Sequence, residues 1–299
     1  MKIFYGILEK SIDVTYICID KLKQNNIITI PCGDENRAKI FTDPLFGVIK
    51  QIIIENEGII TEYDIFTQIK INTLNNQITV TNENDINNKI AQIHSNLKIE
   101  YGSLLHELPE QKMVVRYLTG KEKVLEIGAN IGRNSLVIAS ILGNDNQNNL
   151  VSLESDTNIA NQLTYNRNLN NFNFHIESSA LSNRKLIQKG WDTKPSETLE
   201  EGFTWVRTIT LAELKNKYNI EFDTLVLDCE GAFYYILIDM PELLNNINLI
   251  IMENDYWEID KKNYIDNILK QNNFYVDYVE SGGWGPCYPN FFEVWKKMC

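Results

Sequence analysis

The chain has 299 residues, 43% hydrophobic and 23% charged, enough for one large core or two ordinary ones. Its net charge of −12 and isoelectric point near 4.8 argue against a nucleic-acid backbone as the main partner. No apolar run approaches the ~18 residues of a membrane span and no signal-peptide pattern opens the chain, so neither a membrane location nor the usual export route is expected.

The first 70 residues or so carry strand-like runs at 2–8, 27–30 and 47–54, a helix starting near Asp13, and a turn at Asp43-Pro44. Residues 72–96 are crowded with Asn and hold a short strand around 77–81 and a helix around 86–93. Beyond residue 100 the pattern changes. Apolar runs at 123–127, 149–153, 172–177, 224–228 and 249–253 alternate with helical segments such as 134–142 and 158–169. That alternation predicts βαβ units and a parallel sheet covered on both faces. Two consecutive strands, 274–280 and 291–297, joined by a Gly/Pro loop, predict an antiparallel hairpin at the far edge. The expected organisation is a small N-terminal α/β module over 1–95 and a mostly parallel α/β domain over 96–299.

The five cysteines, Cys18, Cys32, Cys229, Cys287 and Cys299, are widely spaced and form no CxxC or Cys/His cluster. A zinc site or disulfide framework is therefore not expected, and a reducing cytoplasm fits best. The abundance of Asn, Ile and Lys matches A/T-rich codons. It points to an AT-rich microbe or a large DNA virus, in which case the compartment is the host cytoplasm.

The most informative stretch is Lys123-Val124-Leu125-Glu126-Ile127-Gly128-Ala129-Asn130-Ile131-Gly132. An apolar strand ends in an acid, and a loop bearing Gly128, Asn130 and Gly132 leads into a helix whose first amides are free for a ligand. A second strand ends in Glu154-Ser155, 22 residues after Gly132. A carboxylate there suits the two ribose hydroxyls of an adenosine. Nicotinamide dinucleotides and S-adenosylmethionine share that second acid, so the first loop separates them. A dinucleotide site needs G-x-G-x-x-G. Here the loop reads E-x-G-x-N-x-G, and an acid at Glu126 would repel a pyrophosphate and attract an ammonium and a sulfonium.

Residues 126–132, Thr210-Leu211 before a helix, Asp228-Cys229-Glu230-Gly231 and Ala180-Leu181-Ser182 together resemble the FkbM family of S-adenosylmethionine-dependent methyltransferases, over about residues 100–297. The resemblance implies a class I methyltransferase fold, Rossmann-like, with a mostly parallel seven-stranded sheet and one late antiparallel strand. It also implies methyl transfer to a hydroxyl, on a sugar, glycan precursor or similar small molecule. Three positions depart from the family pattern: Ala212 replaces an Asp, Val226 a Lys and Phe233 a Glu.

On this reading Glu126, Gly128, Asn130, Gly132, Glu154 and Ser155 bind the cofactor. Asp228, Glu230, Glu253 and His106 are the candidate catalytic groups, the first three because strand ends in such a sheet meet in one crevice. An acid on the fourth strand facing an acid-Asn pair on the fifth resembles the metal ligands of catechol-type methyltransferases. Asp228, Glu253 and Asn254 are accordingly candidate Mg²⁺ ligands; the alternative has Asp228 positioning the methionine end of the cofactor. Tyr256, Trp257 and Trp284 are candidates to stack on a flat acceptor, and 187–205, with Gly190, Trp191 and Pro195, is either a flap over it or a surface insertion. The rivals are a non-enzymatic binding or virion protein and an NAD-dependent oxidoreductase. Recruiting a partner, orienting a glycan and forming a homodimer are the roles open to the N-terminal module.

Overall fold

The structure is a computed structural model and describes residues 1–190 and 192–298. The chain divides into two compact units, Met1–Lys89 and Ile90–Cys299, with the division falling inside the helix Glu83–Asn96.

The first unit is built of two four-stranded antiparallel sheets. One runs in the order Lys10–Asp13, Lys2–Ile7, Gln51–Asn56, Ile59–Tyr63; the other in the order Lys23–Gln24, Ile27–Ile30, Thr67–Asn72, Ile78–Asn82. Isoleucines at alternate strand positions (Ile28, Ile30, Ile52, Ile54, Ile69, Ile71) point into one core with Tyr5 and Phe41. Asp13 caps the first amide of the opening helix, as a sequence reading suggests, from the residue before the N-cap position. Its carboxylate accepts the Thr15 amide at 2.9 Å, at the first residue of the helix Thr15–Leu22, whose N-cap position is Val14. Arg37 is fully buried and donates to three carbonyls, Pro31 at 2.9 Å, Asp64 at 2.9 Å and Thr67 at 2.6 Å.

In the second unit we number the principal elements α1 (Leu108–Tyr117), β1 (Val124–Ile127), α2 (Arg133–Asn146), β2 (Leu150–Leu153), α3 (Thr157–Leu169), β3 (His175–Glu177), α4 (Leu211–Tyr218), β4 (Thr224–Leu227), α5 (Ala232–Asp239), β5 (Leu249–Glu253), α6 (Ile259–Gln271), β6 (Phe274–Glu280) and β7 (Phe292–Lys297). The sheet order is β3-β2-β1-β4-β5-β7-β6. β3, β2, β1, β4 and β5 pair in parallel, and β7 runs antiparallel to both neighbours. β1, β2 and β4 are buried along their whole length, because helices cover both faces of a sheet built by crossover connections.

Connection lengths and caps set the helices. Asp156 accepts the Asn158 and Ile159 amides and starts α3. Thr210 and Glu213 exchange side-chain and backbone hydrogen bonds in a capping box that starts α4, so the Thr-Leu motif is read here as a helix start. A three-stranded antiparallel sheet, Leu186–Lys189 with Asp192–Pro195 and Thr204–Val206, is inserted between two short parallel strands, Ala180–Leu181 and Thr208–Ile209. No disulfide joins the described cysteines. Among the described residues no helix is long and apolar enough to cross a membrane.

Candidate active site

The strand order reverses at β1, with β2 on one side and β4 on the other, and a sheet of this kind opens a crevice at the carboxyl ends of its strands at such a point. A cavity of about 340 Å³ lies there, within the range of small-molecule sites. Its walls come from the ends of β1 (Ile127, Gly128, Asn130), β2 (Leu153, Glu154, Ser155), β4 (Asp228 to Ala232) and β5 (Glu253).

The loop after β1 owes its shape to two glycines. Gly128 has φ +89°, and a Cβ there would stand 1.5 Å from the Asp228 carbonyl oxygen. The loop is thus pressed onto the end of β4, while the Gly128 and Ala129 amides donate to Leu153 O at 3.1 and 2.9 Å. Gly132 has φ +92°, and a Cβ there would meet Leu163 of α3 at 2.2 Å. Gly132 therefore does not line the cavity; it lets α2 and α3 pack closely behind the loop.

Glu154 lines the cavity and is held from behind. Its Oε2 accepts the Asn130 amide at 2.9 Å and its Oε1 the Asp156 amide at 2.8 Å. Each carboxylate oxygen has a second acceptor site, so ribose hydroxyls can still be bound. Burial pushes the Glu154 carboxyl above its ordinary pKa, against the amides that favour the charged form.

Glu126 is placed differently from the sequence expectation. It is 2% exposed, lies outside the cavity lining, and its Oε2 accepts Ser135 Oγ at 2.5 Å and Ser152 Oγ at 2.6 Å. It sits mid-strand in β1, where alternation turns the side chain under the loop toward α2. The acid that would repel a pyrophosphate is therefore not Glu126. The acids Glu107, Glu110 and Asp228 do line the cavity.

Sequence reading brings out the segment 101–110 through His106 but does not single out Glu107 and Glu110. Their i, i+3 spacing at the start of α1 is the available signal. Gln111 is fully buried and donates to Leu104 O at 3.1 Å and His106 O at 2.7 Å. Asn166 donates to Ile131 O at 2.9 Å and accepts the Glu100 amide at 3.0 Å. These two amides pin 100–107 against the β1 loop, and an ion pair with Arg133 holds Glu107. His106, in contrast, lies outside the lining, because the turn that carries Glu107 inward points its neighbour to solvent.

Asp228, Glu230 and Glu253 all line the cavity. Oxygens of Asp228, Glu253 and Asp255 lie within 4.8 Å of one another. Asn254 does not join them. It is fully buried and donates from Nδ2 to Asn290 O at 2.6 Å, while its neighbour Asp255, which like Asn254 lies outside the lining, supplies the third oxygen of the cluster. Burial, then the Asp255 charge, drives the Asp228 carboxyl well above its usual range. Burial likewise raises Glu253, followed by its hydrogen bond to Glu110, and burial alone raises Glu230.

The inserted sheet contributes Leu186, Gln188, Thr193 and Pro195 to the lining, opposite chemistry to the acids: apolar or uncharged. Arg184 pairs with Asp239 at 2.5 Å and lies over the Tyr235 ring. Trp191 lies outside the described residues. Tyr256 is buried, and Trp257 stacks on Trp284 with centroids 4.2 Å apart; none of the three lines the cavity. His175 packs against Tyr218 on β3, and His94 bonds Gln111 at 2.7 Å. Ala212, Val226 and Phe233 are also outside the lining, Val226 in the sheet opposite Glu126 and Phe233 buried in α5.

A sheet in the order 3-2-1-4-5-7-6, with the seventh strand antiparallel and helices on both faces, has the class I methyltransferase fold. No model of a known protein family matches this chain, so the FkbM resemblance rests on its motifs. No curated protein matches it either. Among solved structures it is similar to an O-methyltransferase from Bacillus cereus in complex with SAH, at 15% identity over 71% of this chain and 91% of that one, TM-score 0.42. It is similar to ribosomal protein L11 methylase from Lactobacillus delbrueckii subsp. bulgaricus, at 11% identity over 68% and 84%, TM-score 0.41. It is also similar to Aeropyrum pernix fibrillarin with natively bound S-adenosyl-L-methionine, at 8% identity over 77% and 93%, TM-score 0.41. Likenesses this weak assign no activity; the fold assignment stands on strand order.

Proposed function

We propose that the chain is an S-adenosylmethionine-dependent methyltransferase acting on an acceptor hydroxyl, on a sugar or glycan precursor. The observation that carries this reading is the cavity at the ends of β1, β2, β4 and β5, where Glu154 stands ready for a ribose and the acids of β4, β5 and α1 offer a field for a cationic ligand. When bound, S-adenosylmethionine supplies a methyl carbon activated by its sulfonium. Glu154 holds the ribose, Gly128 and Asn130 shape the floor, and Ser155 stands beside Glu154 in the lining. Asp228, Glu230 and Glu253 face the space left for the acceptor. In its ionised form, which a cation bound beside it favours, such a carboxylate is suited to take the hydroxyl proton as the oxygen attacks. The uncharged inner face of the inserted sheet suits a neutral, hydroxyl-bearing acceptor and offers nothing for a phosphate backbone.

Calorimetry or a thermal melt with S-adenosylhomocysteine, S-adenosylmethionine and NAD tests the cofactor. Binding of the first two and not of NAD, weakened at least about tenfold in Glu154→Ala, is the expected result; loss of one charge-assisted hydrogen-bond partner is worth about 1.5–3 kcal/mol. Binding of NAD alone would transfer the chain to the oxidoreductase reading. The binding-protein reading draws on Ala212, Val226 and Phe233, and none of these touches the cavity.

A further inference from the structure

We propose that one divalent cation is held at the β4–β5 end of the cavity, by Asp228 and Glu253 from its lining and Asp255 from behind it, with Glu110 as a fourth oxygen donor. The three ligand oxygens lie within 4.8 Å of one another. Mg²⁺ and Ca²⁺ hold oxygens at roughly 2.0–2.6 Å, so atoms sharing one such ion stand up to about 4–5 Å apart. The ligands come from three places, the end of β4, the end of β5 and the turn beyond it, and the Glu230 amide donates to the Asp255 carboxylate to fix its direction.

A second observation comes from α1. Glu110 is 7% exposed and lines the same cavity. Its carboxyl is hydrogen-bonded to Glu253, and its Oε2 has no partner. A buried carboxylate oxygen without a donor is costly, and a cation supplies what is missing.

The charge balance points the same way. Seven carboxylates line the cavity against one described cation, Arg184, which is already paired with Asp239. Arg133 is paired with Glu107. S-adenosylmethionine brings an ammonium and a sulfonium but also a carboxylate, a net single positive charge, too little to hold three adjoining carboxylates ionised together. An organic ammonium acceptor would add only one more. A hard divalent ion with oxygen ligands fits three converging carboxylates, with Glu110 hydrogen-bonded to one of them, better. Its use in lowering an acceptor hydroxyl's pKa rests on the methyl-transfer reading, whereas the site itself does not.

The test is Mn²⁺ titration of the full chain without cofactor, followed by electron paramagnetic resonance, with Mg²⁺ as competitor. One Mn²⁺ per chain, displaced by Mg²⁺, is expected. Asp255→Asn should weaken it more than about tenfold, the scale that loss of even an outer partner reaches at metal sites, while Glu258→Gln, at an exposed position, should not. Circular dichroism checks each fold, and Glu110→Gln on α1 gives an independent reading if Asp255→Asn does not fold. No saturable Mn²⁺, or wild-type binding by both Asp255→Asn and Glu110→Gln, overturns the site; stabilisation by ethylammonium with no Mn²⁺ bound reassigns the acids to a cationic acceptor. Calorimetry with S-adenosylhomocysteine on the same sample separates the two proposals, since cofactor binding without Mn²⁺ refutes only the ion, and Mn²⁺ binding without cofactor refutes only the methyltransferase.

Discussion

Replacing Glu126 by glutamine should remove a pH-dependent penalty from the fold. The Glu126 carboxyl is buried between β1, β2 and α2, and that burial raises its pKa from 4.5 to about 7. The hydroxyls of Ser135 and Ser152 oppose the rise, and the charges of Glu107 and Glu154 add to it. A carboxyl raised in the folded state binds its proton more tightly there than in the unfolded chain. Its contribution is fully present below about pH 4.5 and is lost as pH climbs through about 7. The shift corresponds to about 3 kcal/mol between those limits, at about 1.4 kcal/mol for each pH unit. The glutamine side chain would keep an acceptor oxygen for the two serines without titrating. Urea unfolding of wild type and Glu126→Gln from pH 4.5 to 8 measures the difference directly: the variant should gain on wild type by about 3 kcal/mol across the range, most of it between pH 5 and 7. Parallel stability profiles would show that Glu126 is not desolvated in this way, and the argument for its structural role would fail.

Two further outcomes follow from the same geometry. Gly128→Ala places a Cβ 1.5 Å from the Asp228 carbonyl and demands a positive φ from alanine; a loss of several kcal/mol in denaturant unfolding is expected, on the order of an overpacked core site, together with loss of cofactor binding. His106→Ala should leave kcat and KM within about twofold of wild type, since a group outside the cavity has no proton to move there. A steep fall in kcat would return His106 to the mechanism.

The glycine loop, the acid after β2 and the alternation of strands with helices are local or periodic signals, so the class of fold is legible in the sequence. Strands buried on both faces announce themselves as short runs of Val, Ile and Leu, and β1, β2, β4 and β5 all read that way. The N-terminal unit is less legible. Its strands Ile59–Tyr63 and Thr67–Asn72 are poor in apolar contrast, and the first is almost wholly exposed.

What the sequence could not decide was direction. Glu126 and Glu154 both read as acids closing a strand, yet Glu126 lies within β1 and its pleat sends it beneath the loop, while Glu154 follows β2 and enters the cavity. Asn254 and Asp255 are neighbours, and the turn after β5 buries the amide against Asn290 while aiming the carboxylate at Asp228. His106 and Glu107 part in the same manner at the start of α1. Residue types and spacings state which strands exist and where their ends fall. Only tertiary packing, through the pleat of a strand and the turn of a helix start, decides which of two adjacent side chains faces the ligand.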